Sequence, residues 1–186
     1  VSWGESSGLE VGLRTYYWVS ESLAASSAAA DGGESGADMK MKVTLQPAKL
    51  SDLQQIRKLH LACFSKIGQT SRDVHRHSLL NGPASFCWVA RNGRNVVGYV
   101  IAIRNRNSAY INWLGVNQKH RRNSIGSSLV KTAETWAKRN RLRDISLDSR
   151  NRYREAIYLY LRQGYSICGV WTGTDGDLMI KIRKRL

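Results

Sequence analysis

The chain has 186 residues, 42% of them apolar, with 29 Lys and Arg against 14 Asp and Glu and a net charge of +15. No apolar run approaches the roughly 20 residues of a membrane-crossing helix. The three cysteines, Cys63, Cys87 and Cys168, lack metal-site spacing and leave one thiol over in any disulfide scheme. These features argue against a disulfide-stapled or membrane-spanning chain, and a soluble protein of a reducing, cytoplasmic compartment is expected.

Residues 1–38 hold six acidic residues and one arginine among Ser-, Ala- and Gly-rich clusters. With no packable periodicity they read as a disordered or non-native leader, Met39 or Met41 being candidate natural starts, although Leu13–Val19 also reads as a strand or partner contact. Residues 39–186, the predicted domain, carry 28 Lys and Arg against 8 Asp and Glu, a balance of +20. So basic a domain either has a large acidic partner, RNA or a ribosome surface, or is simply a soluble basic surface.

Val43–Pro47 is predicted as a strand, Ser51–Cys63 as a helix with Leu53, Ile56, Leu59 and Cys63 on one side, and Ser71–Leu80 as a weaker helix. Phe86–Ala90 and Val96–Arg104 form strands around Asn92-Gly93, a hairpin signal, and a turn at residues 105–107 leads to a third strand, Ser108–Val116. Next comes the polar run Asn117–Ser124, followed directly by a helix with Ile125, Leu129, Ala133 and Ala137 at steps of four. A helix start presents unpaired N–H groups and a positive dipole end, a site for phosphate, and Arg121 and Arg122 stand at its mouth. A solvated turn with a serine cap is the plainer alternative. Ile145–Asp148 is a short strand, Tyr153–Gln163 a helix stopped by Gly164, and Tyr165–Trp171 and Leu178–Arg183 the last strands. The alternation predicts an α/β (α+β) fold, a mixed, mostly antiparallel sheet of about six to seven strands flanked by helices.

The spacing Arg121-x-x-Ser124-x-Gly126 resembles the acyl-coenzyme A pyrophosphate loop of the GNAT superfamily of N-acetyltransferases, with Ser124 where glycine is usual. Ala156-Ile157-Tyr158-Leu159-Tyr160, three residues, Gly164 and Tyr165 resembles the second signature of that family. The resemblance extends from about Met41 to Leu186. It implies a sheet whose central strands, Ser108–Val116 and Arg143–Asp148, splay to admit the acyl-pantetheine arm of acetyl-CoA. It assigns the backbone of Leu114 and Val116 to the pantetheine amides. The pyrophosphate falls to the backbone of Arg122, Asn123, Ser124, Ile125 and Gly126 with Ser127, its charge to Arg121, and the 3′-phosphate to Lys119, Arg122 or Arg154.

Tyr160 aligns with the tyrosine commonly assigned as proton donor to the departing thiolate, and Tyr158, out of phase with it, is expected to face elsewhere. Leu147-Asp148-Ser149-Arg150 resembles the Leu-Glu-Val-Arg segment of the ribosomal-protein-alanine N-acetyltransferase branch, which makes Asp148 a candidate general base; capping of the following turn is its other reading. Tyr153 stands where the family has an asparagine. Freeing an α-amine at pH 7 costs roughly 1–1.4 kcal/mol and freeing a lysine roughly 4.6. The acceptor expected is therefore a protein N-terminus, with an aminoacyl-tRNA or small-molecule amine as alternative enzyme substrates and a non-catalytic RNA- or ribosome-binding module as the alternative class. Asp73, His75 and His77 lie in a polar segment with too few ligands for a metal site, and none is expected. Trp113 and Trp171 are acceptor-stacking or core residues, and residues 181–185 a basic RNA-contacting tail or a soluble edge.

Overall fold

The structure, a computed structural model, describes residues 42–64 and 81–186. The expected leader, the predicted Ser71–Leu80 helix, Asp73, His75 and His77 lie outside the described residues.

Strand β1 is Val43–Pro47, and a 3-10 turn at Leu50–Asp52 leads into helix α1, Leu53–Phe64. The turn is fastened by the buried carboxylate of Asp52, which accepts the Lys49 backbone N–H at 2.9 Å and pairs with Arg91. Helix α1 buries Ile56, Leu59, His60, Cys63 and Phe64, a stripe at helical spacing. Strands β2 (Ser85–Asn92), β3 (Asn95–Asn105) and β4 (Ser108–Val116) form the expected meander, and Gly93 takes φ +59° in the first turn, where a side chain would be strained. Helix α2 (Ile125–Arg139), strand β5 (Asp144–Arg150), helix α3 (Arg154–Leu161) and strands β6 (Ser166–Thr172) and β7 (Leu178–Arg185) follow. β5 and β7 each run two residues past their predicted ends.

The seven strands lie in the order β1-β2-β3-β4-β5-β7-β6, all antiparallel except the parallel pair β4–β5. One core lies between α1 and the sheet, centred on Tyr99, Ile101 and Trp113; the other lies under α2 and α3, with Leu129, Ala133, Leu147, Tyr160 and Ile182. No helix among the described residues is long and apolar enough to cross a membrane.

The join between β4 and β5 positions the site. Only Ser108, Ala109 and Tyr110 pair with β5, opposite Asp144, Ile145 and Ser146, so residues 111–116 and 147–150 diverge. The divergence coincides with a bulge: Ala102 of β3 faces Ile111 and Ile101 faces Trp113, leaving Asn112 as the extra residue. A bulge bends its strand, which turns β4 away from β5 where their pairing stops. Asn112 Oδ1 is buried there without a hydrogen-bond partner.

Candidate functional site

The mouth of the splay is a cleft of about 510 Å³ between the loop before α2 and the outer side of α3, lined by Val116, Arg121, Arg122, Ser124, Ile125, Gly126, Ser127, Glu155, Tyr158, Leu159 and Arg162. Seven of the nine residues expected to hold the cofactor are therefore on its wall. Leu114 is buried in the core, and Asn123 instead braces the loop, its Nδ2 donating to the carbonyls of His120 (3.3 Å) and Arg121 (3.1 Å). Lys119 and Arg154 are exposed but stand off the wall, and Arg162, not expected, is on it.

Strand alternation tells which backbone groups face the opening. Asn117 N–H donates to Val97 of β3 at 2.8 Å, so Val116 and Leu114 aim their N–H and C=O groups away from β3, toward the side β5 has vacated. Those groups form a strand edge inside the sheet, which an extended amide chain can complete. One is already engaged: the Val116 carbonyl accepts Arg121 Nε–H at 3.1 Å and the Cys63 thiol at 3.7 Å. Burial pushes the Cys63 thiol pKa up, partly offset by Arg121, which leaves an inert neutral thiol under the loop.

The loop reaches α2 through two left-handed residues, Arg122 (φ +64°) and Ser124 (φ +56°). Ser124 makes no side-chain cap, so the hydroxyl offers no compensation for a backbone geometry that suits glycine. Ser124→Gly is expected to raise stability by about 1 kcal/mol, a rise of about 2–4 °C in Tm readable by thermal denaturation. An unchanged or lower midpoint would show that the serine is not strained. Arg122 pairs with Glu155 across the cleft mouth, an exposed pair that a polyphosphate would have to displace.

Deeper in the fork, Asp148 is buried on β5, two residues beyond the last one paired with β4. Its carboxylate accepts two hydrogen bonds, from Tyr110 Oη at 2.6 Å and from Trp171 Nε1 at 3.2 Å. Tyr110 is the last residue of β4 paired with β5, while Trp171 reaches across β7 from the edge strand β6. Asp148 therefore ties together three strands at the apex. The alternative of turn capping finds no support, since the side chain points to these two rings. Tyr110 was not singled out from sequence: in an alternating strand it reads as a core aromatic, and only the end of the β4–β5 pairing distinguishes it.

Helix α3 has two stripes. Tyr153, Ala156, Ile157 and Tyr160 are buried against the sheet, and Glu155, Tyr158, Leu159 and Arg162 line the cleft. Tyr158, expected to face elsewhere, does point away from Tyr160, but the cleft is where it points, because α3 presents its outer side to the start of α2. Tyr160 is fully buried, edge-on to Tyr165 with ring centroids 5.4 Å apart. Tyr153 is buried at the start of α3, and desolvation raises its phenol pKa.

Beyond the apex, buried Arg150 pairs with Asp175 and Asp177 of the β6–β7 turn, and Arg152 joins Asp177 at 2.9 Å. This clamp holds the hairpin that carries Trp171. The Arg150 contact holds the Asp175 carboxyl below its ordinary pKa of 3.8, so its stabilisation is present above that value and fades as pH falls through the lowered one. Asp177→Ala takes one carboxylate partner from a buried guanidinium, and a loss of about 1.5–3 kcal/mol is expected in denaturant unfolding. Among the described residues no group of three or more His, Cys, Asp or Glu is placed to hold a metal.

The model of the acetyltransferase (GNAT) family matches residues 53–165, and the chain belongs to that family. N-acetyltransferase 8F1 of Rattus norvegicus is 33% identical over 98 residues, which span 50% of this chain and 44% of that protein, so the chain matches less than half the length of this curated relative. Among solved structures, the ribosomal-protein-S18-alanine N-acetyltransferase of Escherichia coli superposes with a TM-score of 0.66 at 14% identity, covering 77% of this chain and 94% of that one. NAA60 of Arabidopsis thaliana, solved with a bisubstrate analogue, gives 0.66 at 17% identity, covering 77% and 98%. A streptothricin acetyltransferase of Bacillus anthracis in complex with acetyl coenzyme A gives 0.57 at 24%, covering 61% and 69%.

Proposed function

We propose that the protein is an N-acetyltransferase that moves the acetyl group of acetyl-CoA directly to a primary amine, and that the amine is a protein N-terminal α-amine. The observation that carries this reading is the fork between β4 and β5, with a strand edge that β5 leaves unpaired on one arm, a phosphate-seeking helix start at its mouth and a carboxylate at its apex. The pantetheine arm pairs with the backbone of Leu114 and Val116, and the pyrophosphate sits on the N–H groups at the start of α2 beside Arg121 and Ser127. Acetyl-CoA supplies the activated acyl group when bound.

Asp148 accepts the proton of the incoming ammonium through a bridging water, since aspartate is one methylene shorter than the glutamate of the related segment. Tyr110 and Trp171 hold its two oxygens in place for that task. Tyr160, shielded on the sheet side of α3, donates the proton that the thiolate takes as it leaves. A carboxylate base acting through one water suits an α-amine, whose deprotonation at pH 7 costs roughly 3 kcal/mol less than that of a lysine. Three free thiols fit a cytoplasmic location.

Thiol release from acetyl-CoA with a panel of amines, followed by mass analysis of the product, tests the reading. Release that depends on peptides with free N-termini supports it, turnover confined to lysine side chains or small polyamines replaces the acceptor, and no release with any amine rejects the enzyme.

A further inference from the structure

Strand β7 divides its side chains cleanly between the two faces of the sheet. Ile180 and Ile182 enter the core under α2 and α3, and Lys184 follows them, donating to both oxygens of Glu134 on α2 (3.0 and 2.9 Å) and to the Gln163 carbonyl (2.7 Å). Met179 lies on the opposite face with the α1-side core, and so, by alternation, do Lys181, Arg183 and Arg185. All three are exposed, and none pairs with a carboxylate of the described residues. Helix α1 packs over β3 and β4 and its core reaches β7 at Met179, leaving Lys181, Arg183 and Arg185 exposed beyond it.

The three cations form a ladder that begins beside the candidate active site. Lys181 is opposite Asp148 in register, and the indole of Trp171 crosses β7 on this same face to reach that carboxylate. Arg183 lies between Ser146 and Ser166, and Arg185 opposite Asp144. Alternate residues of a strand are about 6.8 Å apart, a step close to that between successive phosphates of a single strand.

We infer that this face of β7 binds the phosphodiester backbone of single-stranded RNA. RNA is favoured over an acidic peptide by two observations. The +20 balance of residues 39–186 far exceeds what a short acidic segment would need, and Trp171, 44% exposed, supplies an aromatic surface beside the cations for a base to stack on. This binding is independent of the acetyl-transfer reading.

Binding of a labelled oligouridylate, measured by fluorescence anisotropy without acetyl-CoA, tests the surface independently of catalysis. Three phosphate contacts on a single strand give a log–log salt slope of about −2, an affinity loss of about twentyfold between about 50 and 200 mM salt. Replacing Lys181, Arg183 and Arg185 together by Gln is expected to remove most of that slope. The same charge loss at the exposed Lys58, Lys131 and Lys138 is expected to leave most of it. Absence of salt-sensitive binding by the parent protein overturns the proposal, as does equal flattening in both triple variants, which would reduce the effect to diffuse charge. An oligoglutamate peptide that binds more tightly than the RNA would make this an acidic-peptide surface instead.

Discussion

Asp148→Asn is expected to lower kcat for an amine acceptor by about 10²- to 10⁴-fold, the usual worth of a positioned general base. The amide keeps the shape of the carboxylate and can still accept from Tyr110 or Trp171, so the fold around the apex should survive; what it loses is the ability to take a proton. Asp148→Glu restores the longer carboxylate of the related segment and should recover a large share of the activity. Tyr160→Phe should also lower kcat while leaving the affinity for acetyl-CoA nearly intact, because the ring and its packing on Tyr165 remain. Tyr158→Phe is the informative comparison, since Tyr158, and not Tyr160, has its ring on the cleft wall. Steady-state kinetics with matched acetyl-CoA titrations decides among them. Parent-like kcat in Asp148→Asn removes the base, and a kcat loss confined to Tyr158→Phe moves the proton donor one half-turn along α3.

Most of the frame was legible because its signals are local. The meander follows from apolar runs punctuated by Asn92-Gly93 and residues 105–107, and α2 from its four-residue apolar steps. The helix start after the loop was legible from the polar run and the apolar steps that follow it, whereas the reading of Arg121, Ser124 and Gly126 as a pyrophosphate loop came from their resemblance to the family motif. What the spacing could not convey is conformation: the left-handed backbone at Arg122 and Ser124, and the capture of the Val116 carbonyl by Arg121, depend on how β4 enters the loop. The apex was half legible. Asp148 stood in a motif, but its partners are 38 residues before and 23 residues after it, and strand order rather than sequence brings Tyr110 and Trp171 to one carboxylate. The basic segment at residues 181–185 shows the same limit. Read as a tail it is one charge cluster, whereas as strand β7 it splits into an exposed ladder and a Lys184 that is engaged with Glu134 inside the protein.

Reversing the charge of Arg121 should weaken acetyl-CoA binding by about 30- to 150-fold, the equivalent of about 2–3 kcal/mol for a lost charge-assisted hydrogen bond. The expectation rests on position. Arg121 stands on the cleft wall at the start of α2, anchored to the last residue of β4, so its guanidinium adds to a helix dipole that already favours phosphate. Arg139 carries the same charge at the far end of the same helix, about 20 Å away, where the dipole is negative and no cofactor group should reach. Arg139→Glu therefore changes the net charge equally but should leave the dissociation constant within about twofold, because a Debye length near 10 Å screens it from the site. Arg121→Gln removes the charge without reversing it, and should fall between the two. Isothermal titration of all three variants, each checked for an unchanged melting midpoint without ligand, separates a specific phosphate contact from general electrostatic attraction. Equal dissociation constants for Arg121→Glu and Arg139→Glu would mean that the pyrophosphate is held elsewhere, and the assignment of the loop at residues 121–126 would fall with it.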